Sequence, residues 1–238
     1  MYKERFYRNW VRGDDLVTFE VVERETDLLI SCEKDLSRQA RTFVLNYRKD
    51  IEDYIKQQPE FYGSLEPIEV KGNAAEIVHA MADAARKAFV GPMAAVAGAI
   101  AEFVGRDLAR LSKDVIVENG GDIYMVNSKV RRVGIFCGKS TFSGKVAVEI
   151  APHKNGIGVC TSSGTVSHSL SFGKADAALI IADDAALADA VATATGNSVK
   201  SKSDIESGIA FAKSIEGVTG VLVVVGDRLG SWGEVKLA

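Results

Sequence analysis

The chain is poor in proline, with 4 in 238 residues, and has only three cysteines, Cys32, Cys137 and Cys160. Odd in number, far apart and without C-x-x-C spacing, they argue against a disulfide framework or a zinc knuckle and lead us to expect a reducing cytoplasm. A basic excess is also lacking, since 29 Lys and Arg stand against 32 Asp and Glu for a formal charge of -3. Neutralising a phosphate backbone requires the opposite balance, so nucleic acid is not an expected partner. No run reaches the roughly 18 apolar residues of a membrane span. The nearest, the Ala-rich stretch 93–104, is interrupted by Glu102 and reads as a buried helix, so no membrane is expected. The opening MYKERFYRNWVRGDD is charged and aromatic, without the apolar run of a signal peptide. Neither a GxGxxG fingerprint nor a P-loop lysine motif occurs.

What is present is apolar material, 47% of the residues, enough for a core of ordinary size. One domain over 1–238 is expected. Residues 1–70 are dense in charge and aromatics and 71–238 rich in Ala, Gly and Val, with a seam near 69–74 and no Pro/Ser linker. Runs 16–22 and 27–32 read as a hairpin. Asp35 or Ser37 then caps a helix whose apolar residues, from Ala40 to Ile55, recur at spacings of three and four. Two helical segments, 74–89 and 93–111, are split by Gly91-Pro92, where proline removes a donor. Small residues Ala94, Ala97, Gly98 and Ala101 form a stripe that permits close approach by a helix, a sheet or a ligand.

From 114 onward the pattern turns to strand: 114–118, 122–126, 131–137, 145–150 and 156–162, then 175–182. Asp183 or Asp184 caps a helix ending at Gly196-Asn197, and Ser203-Asp204-Ile205-Glu206 reads as a capping box for another. Strands 221–225 and 234–237 close the chain. Paired helices and hairpin-like strands indicate an α+β fold with a mostly antiparallel sheet, not a doubly wound one.

Three segments carry candidate chemistry. Asn119-Gly120-Gly121-Asp122 stands between two strands as a tight turn with exposed amides and an acid that could face a ligand. Residues 160–169 run Cys160-Thr161-Ser162-Ser163-Gly164-Thr165-Val166-Ser167-His168-Ser169. Hydroxyls and free amides there suit a phosphate or ribose, and His168 is a candidate acid or base. No G-x-S-x-G elbow supports a serine triad. Asp189 and Thr193 stand four apart on one helical face, an oxygen pair that could supply part of a Mg²⁺ site. Cys160 is an alternative reactive residue, with Cys137 as a neighbour on a nearby strand.

In this order the segments resemble the ApbE family of flavin transferases, and the whole chain resembles an ApbE-related branch of the FAD:protein FMN transferase superfamily. Asn119-Gly120-Gly121-Asp122-Ile123 is similar to the family's NxGGDI-type turn, Thr161 to Gly164 to its TSG loop, and Ala188-Asp189-Ala190-Val191-Ala192-Thr193 to its ADAxxT metal helix. The branch is marked by Glu25-Thr26-Asp27-Leu28, Phe61-Tyr62-Gly63-Ser64-Leu65-Glu66-Pro67-Ile68 and Gly91-Pro92-Met93-Ala94-Ala95-Val96-Ala97-Gly98. The resemblance implies a tunnelling-type fold and a flavin or adenine nucleotide bound beside Mg²⁺, with Asp189 and Thr193 as metal ligands. In the transferases FMN passes to a protein hydroxyl. Two departures count against ordinary FMN transfer here. Ala97 stands where the GGIAKGYAVD-like helix carries lysine, and His168-Ser169-Leu170-Ser171-Phe172 keeps the histidine of HxxDP without its acid and proline. A cysteine-dependent sulfur or redox handling protein and a non-catalytic homo-oligomer subunit are the competing expectations.

Overall fold

The computed structural model describes residues 11–12, 15–138, 140–163 and 173–238. Gly164 and His168 therefore lie outside the described residues.

The described residues begin with β1 (Val11–Arg12) and a hairpin of β2 (Val17–Glu23) and β3 (Thr26–Cys32), paired in register from Val17↔Cys32 to Glu23↔Thr26. Helix α1 (Ser37–Gln57) follows; its N-cap is Leu36 without a side-chain cap, so neither Asp35 nor Ser37 caps it, and Asp35 Oδ1 instead accepts the N–H of Ser37 at 2.8 Å just ahead of the first turn. It buries Ala40, Val44, Ile51 and Tyr54, the stripe its spacing predicts. The single turn α2 (Glu60–Gly63) drives Phe61 edge-on into Tyr54, with ring centroids 5.1 Å apart, so a branch-marking segment anchors α1. Helix α3 (Glu76–Ala88), a 3₁₀ turn (Pro92–Ala95) and α4 (Val96–Ala109) come next, the break falling at the expected proline.

The β-rich part comprises β4 (Val115–Asn119), β5 (Asp122–Asn127), β6 (Arg131–Gly134), β7 (Ala147–Ile150), β8 (His153–Ser162) and β9 (Ala177–Ala182). After α5 (Ala185–Ser198) and α6 (Ile205–Lys213) the chain closes with β10 (Val218–Val225), β11 (Arg228–Gly233) and β12 (Lys236–Leu237). Eight strands form one sheet in the order β11-β10-β9-β8-β5-β4-β3-β2, and four form another, β1-β6-β7-β12. Among the described residues every strand pairing is antiparallel, giving the α+β fold.

Period-two alternation makes the large sheet the middle of three layers. Val115, Val117, Cys160, Ile180, Val221 and Val223 face the helices, whereas Ile116, Val159, Leu179, Ile181, Leu222 and Val224 face the small sheet. Both faces are buried, which explains the unbroken apolar runs of β9 and β10.

Two local readings differ. Ser203 forms no capping box: a 3₁₀ turn (Lys202–Asp204) precedes α6, and Ser203 Oγ pairs with Ser201 Oγ at 2.7 Å. Strand β11 was not expected, because Gly230, Ser231 and Gly233 dilute its apolar signal. Among the described residues no single helix is long and apolar enough to cross a membrane, and all three cysteines are free and buried.

Candidate functional site

The β4–β5 turn is a two-residue hairpin loop in which Asn119 pairs with Asp122. Its central residues, Gly120 and Gly121, have φ of 69° and 110°, the left-handed pair that a tight turn of this hand requires. The Asn119 amide donates to Ala97 O at 3.1 Å, and the N–H of Gly121 donates to Glu118 Oε1 at 2.9 Å. The turn is thereby fixed to the first residues of α4. Asp122 pairs in register with Cys160 of β8 and, like Tyr124 and Cys160, points to the helix layer. The N–H of Thr161 and the Cys160 sulfur lie beside its carboxyl and favour its ionised form, while the Cys160 thiol proton is directed to Ala185 O.

Asp189 approaches the same place from α5, which starts at Asp184, whose Oδ1 caps the N–H of Leu187 at 2.7 Å. Asp189 Oδ2 accepts the N–H of Gly98 at 2.9 Å, and the carboxyl also accepts from Ala97. The small-residue stripe of α4 thus meets α5 and receives a carboxylate from it. Glycine is needed at 98, since a Cβ there would stand 2.1 Å from Ala185 O and 2.7 Å from Asp189 Cβ.

Asp122 and Asp189 are 9% and 8% exposed. Burial, then the charges of Asp189 and Glu118, hold the Asp122 carboxyl well above the ordinary range. Burial raises Asp189 too, opposed by the N–H groups of Gly98 and Ala97. The hydroxyl segment runs from the β4–β5 turn towards the far end of α5: a Cβ on Gly121 would touch Thr161 O at 3.7 Å, and one on Gly196 would touch Ser162 Oγ at 3.4 Å. Ser163 is buried, and Thr193 is half-buried one turn beyond Asp189. Of the twelve residues singled out, the structure brings Asn119 to Asp122, Cys160, Thr161 and Asp189 to the helix–sheet junction, whereas Ser162 faces Gly196 near the end of α5 and Gly164 and His168 lie outside the described residues.

Cys160 lies at the same junction, with its Sγ 3.4 Å from Ala185 O. Burial, with Asp122 and Asp189 nearby, pushes its thiol well above its usual range. Cys137 belongs to the cluster on the other face of the large sheet, and burial pushes its thiol up to about 12.

Glu102, which in sequence only interrupts an apolar run, is 2% exposed and takes part in the same junction. Its Oε2 accepts the N–H groups of Ala185 and Ala186 at 2.9 and 3.1 Å, and its Oε1 pairs with Arg106 at 2.5 Å. A charged residue inside an Ala-rich helix was the signal available for it. The first turns of α4 and α5 are each occupied by a carboxylate from the other helix, so both dipole ends are already met by protein charge.

Among the described residues no three His, Cys, Asp or Glu side chains form a ready metal cage. Mg²⁺ does not need one, because one or two carboxylates with water and ligand phosphates complete its octahedron. Asp122 and Asp189, two buried carboxyls at the helix–sheet junction, are oxygen donors of the type such an ion takes.

The family described as AbpE bacteria matches residues 8–224. The chain belongs to this ApbE-related family. A UPF0280 protein of Methanocella arvoryzae is 39% identical over 213 residues, covering 89% of this chain and 86% of the relative. Another, of Methanocaldococcus jannaschii, is 39% identical over 221 residues, covering 90% of each. Among solved structures, a mutant of the flavin transferase ApbE from Vibrio cholerae superposes with a TM-score of 0.60 at 15% identity, over 92% of this chain and 97% of that one. At that identity the likeness establishes the ApbE fold alone. The family resemblance of the three segments and the fold of the whole chain agree.

Proposed function

We propose that the chain binds a flavin or adenine nucleotide together with Mg²⁺ at the junction of the β4–β5 turn, the start of α4 and the middle of α5. The observation that carries this reading is the convergence of three separated segments on the buried carboxyls Asp122 and Asp189. Asp189 and Thr193, with Asp122 beside them, would hold the cation, which when bound supplies positive charge to a pyrophosphate. The Gly120-Gly121 turn, whose Gly121 N–H would have to leave Glu118 to serve a ligand, and the oxygens of Thr161, Ser162 and Ser163 are the groups for phosphate or ribose, and the family resemblance adds Gly164 to them. His168 is the acid–base candidate for a chemical step.

Ordinary FMN transfer is not part of the proposal, because Ala97 brings no cation to the phosphates. Reaction through Cys160 requires a thiolate that burial and two neighbouring acids disfavour. Calorimetric titration with FAD, FMN, ADP and ATP, each with and without Mg²⁺, tests the reading. Heat and a thermal shift that depend on Mg²⁺ are expected. Absence of both for every ligand rejects it.

A further inference from the structure

Glu102 and Asp189 cap each other's helices. Asp189, in the second turn of α5, accepts the N–H of Gly98 in the first turn of α4 at 2.9 Å. Glu102, in the second turn of α4, accepts the first two N–H groups of α5, those of Ala185 and Ala186. Helix ends leave such donors without intrahelical partners, and a buried end must find acceptors elsewhere. In α5, Asp184 satisfies only Leu187, so Ala185 and Ala186 depend on the neighbouring helix.

We propose that Glu102 is a positioning residue for the candidate site: its carboxylate seats the first turn of α5 on β8, and through that turn aligns Asp189 with Gly98 and Asp122. The seat is tight. A Cβ on Gly158 of β8 would stand 2.5 Å from Ala185 Cα and 2.5 Å from Asp184 O, so the start of α5 lies directly on the strand. Ala185 O also covers the Cys160 thiol. Arg106 holds the other oxygen of Glu102, and Asp184 and Tyr124 are the remaining ionisable groups that act on it or feel it. A single oxygen, Oε2, receives both α5 donors, so one carbonyl-type acceptor at that reach suffices.

The seating stands on hydrogen-bond geometry, whereas its effect on ligand binding rests on the function proposed above. Two measurements on the full chain keep these apart. The first is the rate at which iodoacetamide labels each cysteine in the native protein, resolved by peptide. Cys32, Cys137 and Cys160 are all buried, and the first two report on general loosening. In Glu102→Ala we expect Cys160 labelling to rise about tenfold or more, as loss of a charged hydrogen bond permits, with Cys32 and Cys137 unchanged. Glu102→Asp, which keeps the charge but shortens the reach, should do the same if the alanine variant does not fold. Glu102→Gln, which keeps an acceptor at full reach, should restore protection. Unchanged Cys160 labelling, an equal rise at all three cysteines, or failure of glutamine to restore protection overturns the proposal.

The second measurement is Mg²⁺ titration with FAD. Weaker binding in Glu102→Ala than in wild type supports transmission to Asp189, and equal binding alongside faster Cys160 labelling overturns it. Absence of binding in wild type rejects the proposed function, while the labelling result decides the seating by itself.

Discussion

Gly98 donates its N–H to Asp189 Oδ2 at 2.9 Å in a space where one added methyl group would meet Ala185 O at 2.1 Å. Hydrogen bond and close approach require each other, since the helices must nearly touch for a side chain as short as aspartate to reach the backbone. Gly98→Ala is therefore expected to destabilise the fold by about 1–3 kcal/mol through overpacking, despite alanine's better helix propensity. Denaturant unfolding at constant m value checks this. A variant as stable as wild type would show that the α4–α5 contact is looser than described.

The asymmetry between legible and illegible parts of the molecule has a physical origin. The β4–β5 turn was readable because Gly120 and Gly121 are demanded by backbone sterics alone, and α1 because a half-exposed helix displays its period. Strand β11 was not, because Gly230 packs against Ile205 and Ile209 of α6, and Gly233 against Thr219 and Gly220 of β10, rather than contributing apolar side chains. Likewise the order of Asn119 to Asp122, Thr161 to Gly164 and Asp189 with Thr193 carried the family resemblance, yet the partnership of Asp189 with Gly98 spans 91 positions and has no local pattern. Glu102 is the sharpest case. Its role depends on which helix end it meets, and only the packing of α4 on α5 decides that.

Mg²⁺ stabilisation should grow with pH. Asp122 and Asp189 are held above their unfolded values, so the folded protein retains protons that the unfolded chain releases. The stability they contribute is present at low pH and falls as pH rises from the ordinary carboxylate range through their raised folded values. A divalent cation replaces those protons. The thermal shift caused by saturating Mg²⁺ is therefore expected to be small near about pH 5 and larger near about pH 8. Asp189→Asn should abolish the difference, and a shift independent of pH would place the cation elsewhere.

Glu102 gives a separate pH signature. Burial, and secondarily the charge of Asp184, pushes its carboxyl up to about 7 despite Arg106. With the folded value above the unfolded one of 4.5, stability is lost between those two limits as pH rises and is level above them. Treated as the whole effect, the gap corresponds to roughly 3 kcal/mol at about 1.4 kcal/mol per unit. Glu102→Gln cannot ionise, so its stability, measured by urea unfolding across that window, should decline less steeply than that of wild type. Parallel curves would show that Glu102 stays ionised throughout.

Ala97 offers a test by gain instead of loss. Its carbonyl is fixed by Asn119 and its N–H by Asp189, so position 97 is held at the edge of the proposed site while bringing no charge to it. The groups that set Asp122 are themselves acidic or neutral, leaving a bound cation to meet ligand phosphates. Ala97→Lys would place an ammonium beside that position. If the phosphates lie there, the substitution should raise affinity for ADP or FAD without Mg²⁺ by about tenfold or more, the contribution expected of one charge-assisted hydrogen bond. The gain should shrink in high salt, because an exposed ammonium is screened. It should also shrink when Mg²⁺ is present, since two cations then serve the same oxygens. Equal affinity in both proteins, measured by calorimetry without metal, would locate the phosphates away from the start of α4.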